Sequence, residues 1–173
     1  MIKIKQILAQ RKLRKLVENY QHNPVLPNVK TTRHIGVLWN PTQKEAYQFL
    51  KDYFNKEQVI FRGFCVFEDD VNPIENSNTL TTNDLTWIGL PKPEKIDDFT
   101  SIGFDLLINM SLQQNLVLDY ITLLSKAKFK VGSATGESNY FDLNINIGEN
   151  RDSMYLVEQQ IFYLAQLNNT NNK

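Results

Sequence analysis

Two hydrophobic patterns alternate along the chain after residue 33. Short continuous apolar runs, at 34–39 and 104–109, are typical of strands that are buried on both faces. Apolar residues at three- and four-residue spacing predict amphipathic helices at 43–55, 113–126 and 152–167. Strands that alternate with helices in this way indicate an α/β domain.

Further segments complete the predicted sheet and its connections. Four more strands are expected, at 58–67, 84–90, 128–132 and 140–147. The acidic, Asn-rich stretch 68–83 predicts a loop, and 94–100 predicts at most one helical turn. Between 104 and 132 a strand, a helix and a strand follow one another with short connections, which predicts a right-handed unit whose two strands are parallel.

The predicted fold is a three-layer, Rossmann-like α/β domain at 33–168, with a mostly parallel sheet packed between helices. The alternating segment 140–147 is expected toward one edge of the sheet, because only one of its faces is apolar. An amphipathic helical region, 1–22, precedes the domain, and a disordered polar tail, 169–173, follows it.

The N-terminal helix, expected at 3–20, carries the strongest charge feature of the sequence. Apolar residues from Ala9 to Tyr20 line one face, and no acidic residue precedes Glu18. Its cations can contact anionic lipid or nucleic acid, although the helix has no Trp or Phe to enter a lipid interface. The simpler alternative is that the apolar face packs on the sheet and the basic face is only solvated. The cations are Lys3, Lys5, Arg11, Lys12, Arg14 and Lys15.

Composition narrows the class of protein without indicating a function. The 173 residues suit one globular domain, and a formal net charge of zero gives no whole-molecule attraction to nucleic acid or lipid. A single Cys excludes an internal disulfide. The first residues lack the uninterrupted apolar stretch of a secretory signal, and no run approaches the length of a membrane span. We therefore expect a cytoplasmic protein with no integral membrane segment.

Candidate ligand-binding residues follow from the predicted sheet. Open parallel sheets bind ligands at the carboxyl ends of their strands, beside helix N-termini whose free N–H groups attract anions. Six polar residues follow predicted strands and are placed to contact such a ligand. They are Asn40, Thr42, Asn109, Ser111, Ser133 and Thr135.

The competing explanation is that two of these residues only cap helices. Thr42 with Glu45, and Ser111 with Gln114, have the spacing of a capping box. Capping without a ligand is the ordinary role of Ser and Thr at such positions. The sequence alone leaves both explanations open.

Signatures of catalysis are missing from the sequence. It contains neither the G-x-G-x-x-G dinucleotide motif nor the G-x-x-x-x-G-K-[ST] phosphate loop. His22 and His34 lie apart and there is no Cys pair, so we predict no metal site and no cofactor. Cys65 lies in an apolar run, where a thiol is expected to be buried and inert. Whether the protein is an enzyme is not decided by these observations.

Two stretches carry a family resemblance: FDLLIN at 104–109 and LSKAKFKVG at 124–132. The chain resembles a family of short, uncharacterised bacterial cytoplasmic proteins, a domain of unknown function. That resemblance implies an α/β body behind a basic N-terminal helix, and it carries over no site residues. The same stretches are similar to the acceptor-side domain of heptosyltransferase-type glycosyltransferases, whose second, sugar-nucleotide-binding domain this chain is too short to include.

Three functions fit these observations. The first is a non-catalytic domain that binds a protein partner or forms a homodimer, and it is preferred because every catalytic signature tested is missing. The second is a small enzyme or binding protein for a phosphorylated or sugar-like metabolite at the six candidate residues. The third is a peripheral adaptor that uses the basic helix on a membrane or on nucleic acid.

Overall fold

The computed structural model describes residues 1–66, 78–133 and 140–170. Its helices in these ranges are α1 (Ile2–Glu18), α2 (Lys44–Tyr53), α3 (Pro93–Thr100), α4 (Leu116–Leu124) and α5 (Ser153–Thr170). Its strands are β1 (His34–Trp39), β2 (Ile60–Val66), β3 (Asn78–Leu80), β4 (Leu106–Asn109), β5 (Lys130–Gly132) and β6 (Leu143–Asn144). A single 3₁₀ turn at Pro41–Gln43 precedes α2, and another at Thr82–Asp84 follows β3.

The described strands form one sheet in the order β3-β2-β1-β4-β5-β6, and every pairing is parallel. β1 and β4 lie at its centre, where helices cover both faces, and this explains why both read as continuous apolar runs. The predicted parallel pairing in the second half of the chain is confirmed, because Leu107 is the register partner of Lys130.

Helices cover the sheet on two sides and give three layers. On one side α2 and α5 pack against Val37, Trp39 and Ile108 of the central strands. On the other side α1, α3 and α4 pack against Leu38 and Leu107. Neighbouring residues of one strand thus belong to opposite cores, as the alternation of side chains in a strand requires. The predicted three-layer, Rossmann-like fold is confirmed.

The sequence placed the third strand in the wrong segment. Residues 84–90 contain a tight turn, in which Thr86 N–H donates to the Leu90 carbonyl at 2.7 Å and Gly89 adopts a φ of +84°. That left-handed conformation reverses the chain, so an extended strand cannot form there. The strand is β3, which lies inside the stretch that was predicted to be a loop.

Several boundaries also differ from the predictions. α3 has eight residues instead of a single turn, because Pro93 occupies its first position, where a missing N–H costs nothing. β6 is the edge strand, as predicted for 140–147, but only Leu143 and Asn144 pair with β5. α5 continues to Thr170, and 171–173 lie outside the described residues. In the ranges that are described, none of the helices is both long and apolar enough to cross a membrane.

Candidate functional site

The sheet has one point where the direction of strand addition reverses. The chain passes from β1 outward to β2 and β3, and then returns to add β4, β5 and β6 on the other side of β1. In open sheets of this order, ligands bind in the crevice outside the carboxyl ends of the two strands at the reversal. Asn40 directly follows β1, and Asn109 ends β4 as the register partner of Leu38. We call this place, at the carboxyl ends of β1 and β4, the switch point.

At the switch point, Asn40 is a capping residue. Its Oδ1 accepts hydrogen bonds from the N–H and the hydroxyl of Thr42, and Gln43 Oε1 accepts from the Asn40 N–H at 3.1 Å. The predicted Thr42–Glu45 capping box is therefore wrong. Pro41 starts a 3₁₀ turn before α2, so the helical segment begins two residues earlier and the box is formed by Asn40 and Gln43.

Asn109 and Ser111 lie inside the protein. Asn109 is 1% exposed; its Nδ2 donates to Thr122 Oγ1 at 3.1 Å, and its Oδ1 accepts from the Ser111 N–H. The predicted Ser111–Gln114 capping box is wrong, because α4 begins only at Leu116. Its cap is Asn115, whose Oδ1 accepts from two N–H groups of the first turn.

Two glutamines that were not among the sequence candidates bind the main-chain carbonyls at the end of β4. Gln43 Nε2 donates to the Met110 carbonyl at 2.6 Å and to Ser153 Oγ at 3.1 Å. Gln160 Nε2, from the middle of α5, donates to the Asn109 carbonyl at 3.0 Å. A signal for Gln160 was present in the sequence: it interrupts the apolar face of its helix, and a polar residue there needs a buried partner.

Three buried polar atoms near these residues have no hydrogen-bond partner in the described ranges. They are Ser111 Oγ, Gln160 Oε1 and Trp39 Nε1. An unpaired buried polar atom costs about 1–3 kcal/mol, so native proteins usually supply a partner such as a water or a bound ligand. The switch point thus presents a hydroxyl and an amide oxygen with unused capacity, and this is the chemistry needed to hold a small polar molecule.

The remaining sequence candidates are placed as follows. Ser133 follows β5 and is buried, and Thr135 lies outside the described residues. Cys65 is fully buried in β2, as predicted, and burial raises the pKa of its thiol to about 12, so it stays protonated at neutral pH. No three potential metal-ligating side chains come together within the described parts of the chain.

The basic helix α1 has two halves with different surroundings. Ala9 and Leu13 are buried, and they pack with residues of α4 in the core below α1. The first two turns have no such cover: Ile2, Ile4 and Ile7 are 76%, 60% and 48% exposed. All six basic residues predicted for an anionic contact are exposed, and none forms one of the ion pairs found in the described ranges.

Trp87 lies next to the uncovered end of α1. It belongs to the turn that follows β3, and 68% of its surface is exposed. A cavity of about 530 Å³ is lined by Ile2, Lys5 and Gln6 on one side and by 86–89 on the other. Thr82, Leu85 and residues 115–117, at the start of α4, complete its lining. No sequence pattern indicates this neighbourhood, because Trp87 is more than 80 residues from Ile2 along the chain.

Comparison with protein families matches residues 5–167 of the chain. The chain belongs to the family of unknown function DUF6913. Membership of DUF6913 confirms the predicted resemblance to a domain of unknown function, whereas the bacterial origin and the cytoplasmic location stay predictions. Neither curated proteins nor solved structures gave a match, so the similarity to heptosyltransferase-type glycosyltransferases has no support.

Proposed function

We propose that this protein is a peripheral binding protein that docks on an anionic phospholipid surface. The docking surface is the N-terminal tip, which we define as the first two turns of α1, Ile2 to Leu8, together with Trp87. The observation that carries the proposal is the exposure of large apolar side chains, Ile4 and Trp87 above all, among cations that form no ion pair with any described residue. This pairing of apolar and basic groups is the requirement for binding at a lipid interface.

The apolar side chains supply one part of the binding free energy. Transfer of a fully exposed Ile or Trp from water to the acyl boundary is worth roughly 1.5–3 kcal/mol, and less where the side chain is already half covered. Ile4 and Ile7 lie on the outward side of α1, away from the buried Ala9 and Leu13. Trp87 supplies the aromatic ring that the helix itself lacks, and Trp is favoured at membrane interfaces because one end is apolar and the other polar.

The basic side chains supply the second part. Lys3 and Lys5 lie on the same turns as the exposed isoleucines, and the other cations follow along the helix. A Lys or Arg close to an anionic membrane contributes about 1 kcal/mol, and the effect falls off within a Debye length. Since one apolar group or one cation alone gives weak and reversible attachment, the two signals together support stable docking.

A protein partner or a second copy of the chain is the competing occupant of the same surface. The missing catalytic signatures of the sequence favour this function, and the cavity between Ile2 and Trp87 offers apolar walls to a partner as well. We favour lipid because the six exposed cations match an anionic surface and the exposed isoleucines match the apolar region beneath it. Vesicle binding and the oligomeric state of the free protein separate the two occupants.

The experiment is co-sedimentation of the purified full chain with vesicles. Neutral phosphatidylcholine vesicles are compared with vesicles that also contain phosphatidylglycerol, at about 0.1 M and about 0.5 M salt. Trp87→Ser tests the apolar part, with Phe162→Ser as its control, because Phe162 is an exposed aromatic on α5. The double variant Lys3→Gln, Lys5→Gln tests the cations, with Lys44→Gln, Lys51→Gln on α2 as its control.

Docking on lipid predicts binding to the anionic vesicles only, with a steep loss at the higher salt. Each test variant should bind about tenfold more weakly, while both controls bind like the natural chain. Equal binding to neutral and anionic vesicles, or test variants that behave like their controls, would contradict the proposal. A dimer in sedimentation equilibrium that Trp87→Ser dissociates, without lipid binding, would assign the surface to a second copy.

A second candidate function is the binding of a phosphorylated or sugar-like metabolite at the switch point. It is favoured by the unpartnered Ser111 Oγ and Gln160 Oε1, both in side chains that are more than nine-tenths buried. A ligand that satisfies these atoms stabilises the native state and raises the unfolding temperature. A thermal-unfolding screen with sugar phosphates and nucleotides tests this, and Ser111→Ala should abolish any stabilisation that arises there. A stabilisation unchanged in Ser111→Ala would refute binding at this place.

A further inference from the structure

A second cavity, of about 340 Å³, lies on the α4 side of the sheet, away from the N-terminal tip and the switch point. It is bounded by the segment that follows α1 and by the C-terminal end of α4. Tyr20, His22, Ser125, Lys126 and Lys130 are among its lining residues. All five side chains can donate a hydrogen bond, and the two lysines can also carry a positive charge.

Lys130 is the unusual member of this group, because it is a lysine with 1% exposure. Its Nζ donates to the Thr122 carbonyl at 2.8 Å and lies 4.9 Å from the centroid of the Tyr20 ring. The bond to Thr122 satisfies a carbonyl of the last turn of α4, and this is a structural role. An ammonium has three N–H donors, however, so one carbonyl and one ring face do not use its full capacity.

The charge of Lys130 also lacks a paired anion among the described residues. Asp142, whose charge acts on Lys130, accepts with Oδ2 from His22 Nε2 at 2.8 Å and from the main-chain N–H of Lys130 at 2.7 Å. No carboxylate oxygen lies within ion-pair distance of Lys130 Nζ in the ranges that the structure describes. Burial lowers the pKa of Lys130 to about 8, and the charge of Asp142 opposes this shift. At neutral pH the amine is therefore mostly charged and only partly compensated.

Tyr20 presents a second unsatisfied donor to the same cavity. Its hydroxyl is buried and has no hydrogen-bond partner among the described residues. Burial raises the pKa of Tyr20 further above its ordinary value, so the hydroxyl keeps its proton and remains a donor. The Lys130 ammonium lies over the face of the Tyr20 ring, 4.9 Å from its centroid, and both side chains line the same cavity.

We propose that this cavity binds a small oxyanion, a carboxylate or a phosphate group, on Lys130 and Tyr20. One oxyanion compensates the buried ammonium and accepts the hydrogen bond that Tyr20 offers, and both groups then have the partners that burial demands. The exposed Lys126 adds positive potential beside them, and His22 stacks on Tyr20 with ring centroids 5.6 Å apart. The site is independent of lipid docking, because it uses no residue of the N-terminal tip.

Thermal unfolding of the full chain tests the proposal at pH about 7. The probes are inorganic phosphate and acetate, each compared with chloride at equal ionic strength, so that general salt effects cancel. Lys130→Met removes the charge and keeps an apolar side chain of similar length. Tyr20→Phe removes only the hydroxyl. Lys44→Met, at an exposed position on α2, is the control for the loss of one positive charge.

Binding predicts that one probe at saturation raises the unfolding temperature by about 4 °C or more in the natural chain and in Lys44→Met. The rise should vanish in Lys130→Met, and Tyr20→Phe should need about tenfold more anion. The probe that acts at lower concentration identifies the ligand as a phosphate or a carboxylate. The proposal is overturned if neither probe raises the unfolding temperature of the natural chain. It is also overturned if Tyr20→Phe shows the same rise as the natural chain at the same anion concentration. This second comparison decides the matter if Lys130→Met does not fold.

The pH dependence of the same measurement gives an independent check. Among the described residues, the charged or titratable groups around Lys130 are Tyr20 and His22 after α1, Lys126 after α4, and Asp142 before β6. Anion binding requires the protonated amine, so the rise should decline as the pH passes above about 8 in the natural chain. A rise that stays constant up to pH about 10 would overturn the assignment to Lys130.

Discussion

Gln160 donates its side-chain amide to the main-chain carbonyl of Asn109 at 3.0 Å, and this bond joins the middle of α5 to the end of β4. The next carbonyl, of Met110, is taken by Gln43 from the start of α2. Two consecutive carbonyls that leave the sheet are thus satisfied by side chains from two helices of one layer. The end of the central strand, which forms the floor of the switch point, is fixed by these bonds.

The two glutamines should contribute unequally to stability. Gln43→Leu removes the bonds to Met110 and Ser153 and also the half of the capping box that accepts from Asn40, so we expect a loss of about 2–3 kcal/mol. Gln160→Leu removes one bond but also an unpartnered buried Oε1, so we expect a loss of only about 1 kcal/mol. Urea unfolding measures both. A Gln160→Leu loss equal to or larger than that of Gln43→Leu would refute this assignment.

The central part of the fold was predictable because its physics is local. β1 is buried on both faces and has no polar residue between Ile35 and Trp39, so the apolar run and its ends are visible in the sequence. The βαβ unit of β4, α4 and β5 was predictable for a related reason, since short connections leave a parallel pairing as the only arrangement. The position of Asn40 and Asn109 at the carboxyl ends of these strands followed directly.

The sheet edges and the sites depend on tertiary contacts that no local pattern records. β3 has only three residues and includes the polar Asn78, so it shows no strand period, and the alternation over 140–147 does not reveal that only Leu143 and Asn144 pair with β5. The neighbourhood of Ile2 and Trp87, and the contact between Tyr20 and Lys130, each join segments that are remote in the sequence. Lys130 itself looked like an ordinary strand lysine, because its burial comes from Tyr20 after α1 and from α4.

The sheet leaves no room for a side chain at Gly63 in β2. A Cβ built there would lie 2.3 Å from the Tyr47 hydroxyl and 2.7 Å from the ring, and that ring is stacked on Trp39 with centroids 4.0 Å apart. We expect Gly63→Ala to lower the free energy of unfolding by about 1–3 kcal/mol in a urea titration, because Tyr47 must leave its stacked position.

Gly103→Ala is the control for this substitution. Nothing lies within 4 Å of a Cβ at Gly103, and its backbone is not in the left-handed region, so Ala there should be neutral or stabilising by up to about 1 kcal/mol. If Gly63→Ala unfolded at the same urea concentration as Gly103→Ala, the close packing of Tyr47 on β2 would be disproved.

Asp119 should make the protein less stable as the pH rises through the acidic range. It is 4% exposed in α4, and burial raises its pKa to about 6, with a hydrogen bond from Tyr140 opposing the shift. The unfolded chain has an ordinary Asp pKa of about 3.9, so between pH about 4 and 6 the folded state binds more protons than the unfolded state. Stability therefore falls across this window, by roughly 2–3 kcal/mol from this one group.

Asp119→Asn isolates that contribution. The amide has no proton to lose and its oxygen can still accept from Tyr140, so the variant should match the natural chain near pH 4 and be more stable at pH 7. The difference between the two urea-unfolding curves cancels the other carboxylates, such as Asp84 and Asp105, whose pKa values are lowered. A variant that is less stable at pH 7 would show that the buried carboxylate has a compensating partner.

The two tryptophans offer a spectroscopic test of docking, because their environments are opposite. Trp39 is 1% exposed beneath Tyr47, whereas Trp87 is 68% exposed beside Ile2. In the free protein, acrylamide should quench the red-shifted emission of Trp87 and leave that of Trp39 almost unchanged. Anionic vesicles should shift the Trp87 emission to the blue and protect it from acrylamide, because its ring exchanges water for the lipid interface.

In Trp87→Phe the remaining emission belongs to Trp39 and should respond to neither vesicles nor acrylamide. If vesicles left the emission of the natural chain unchanged while the protein sedimented with them, Trp87 would not be part of the docking surface, and the contact would have to be assigned to the basic residues of α1 alone.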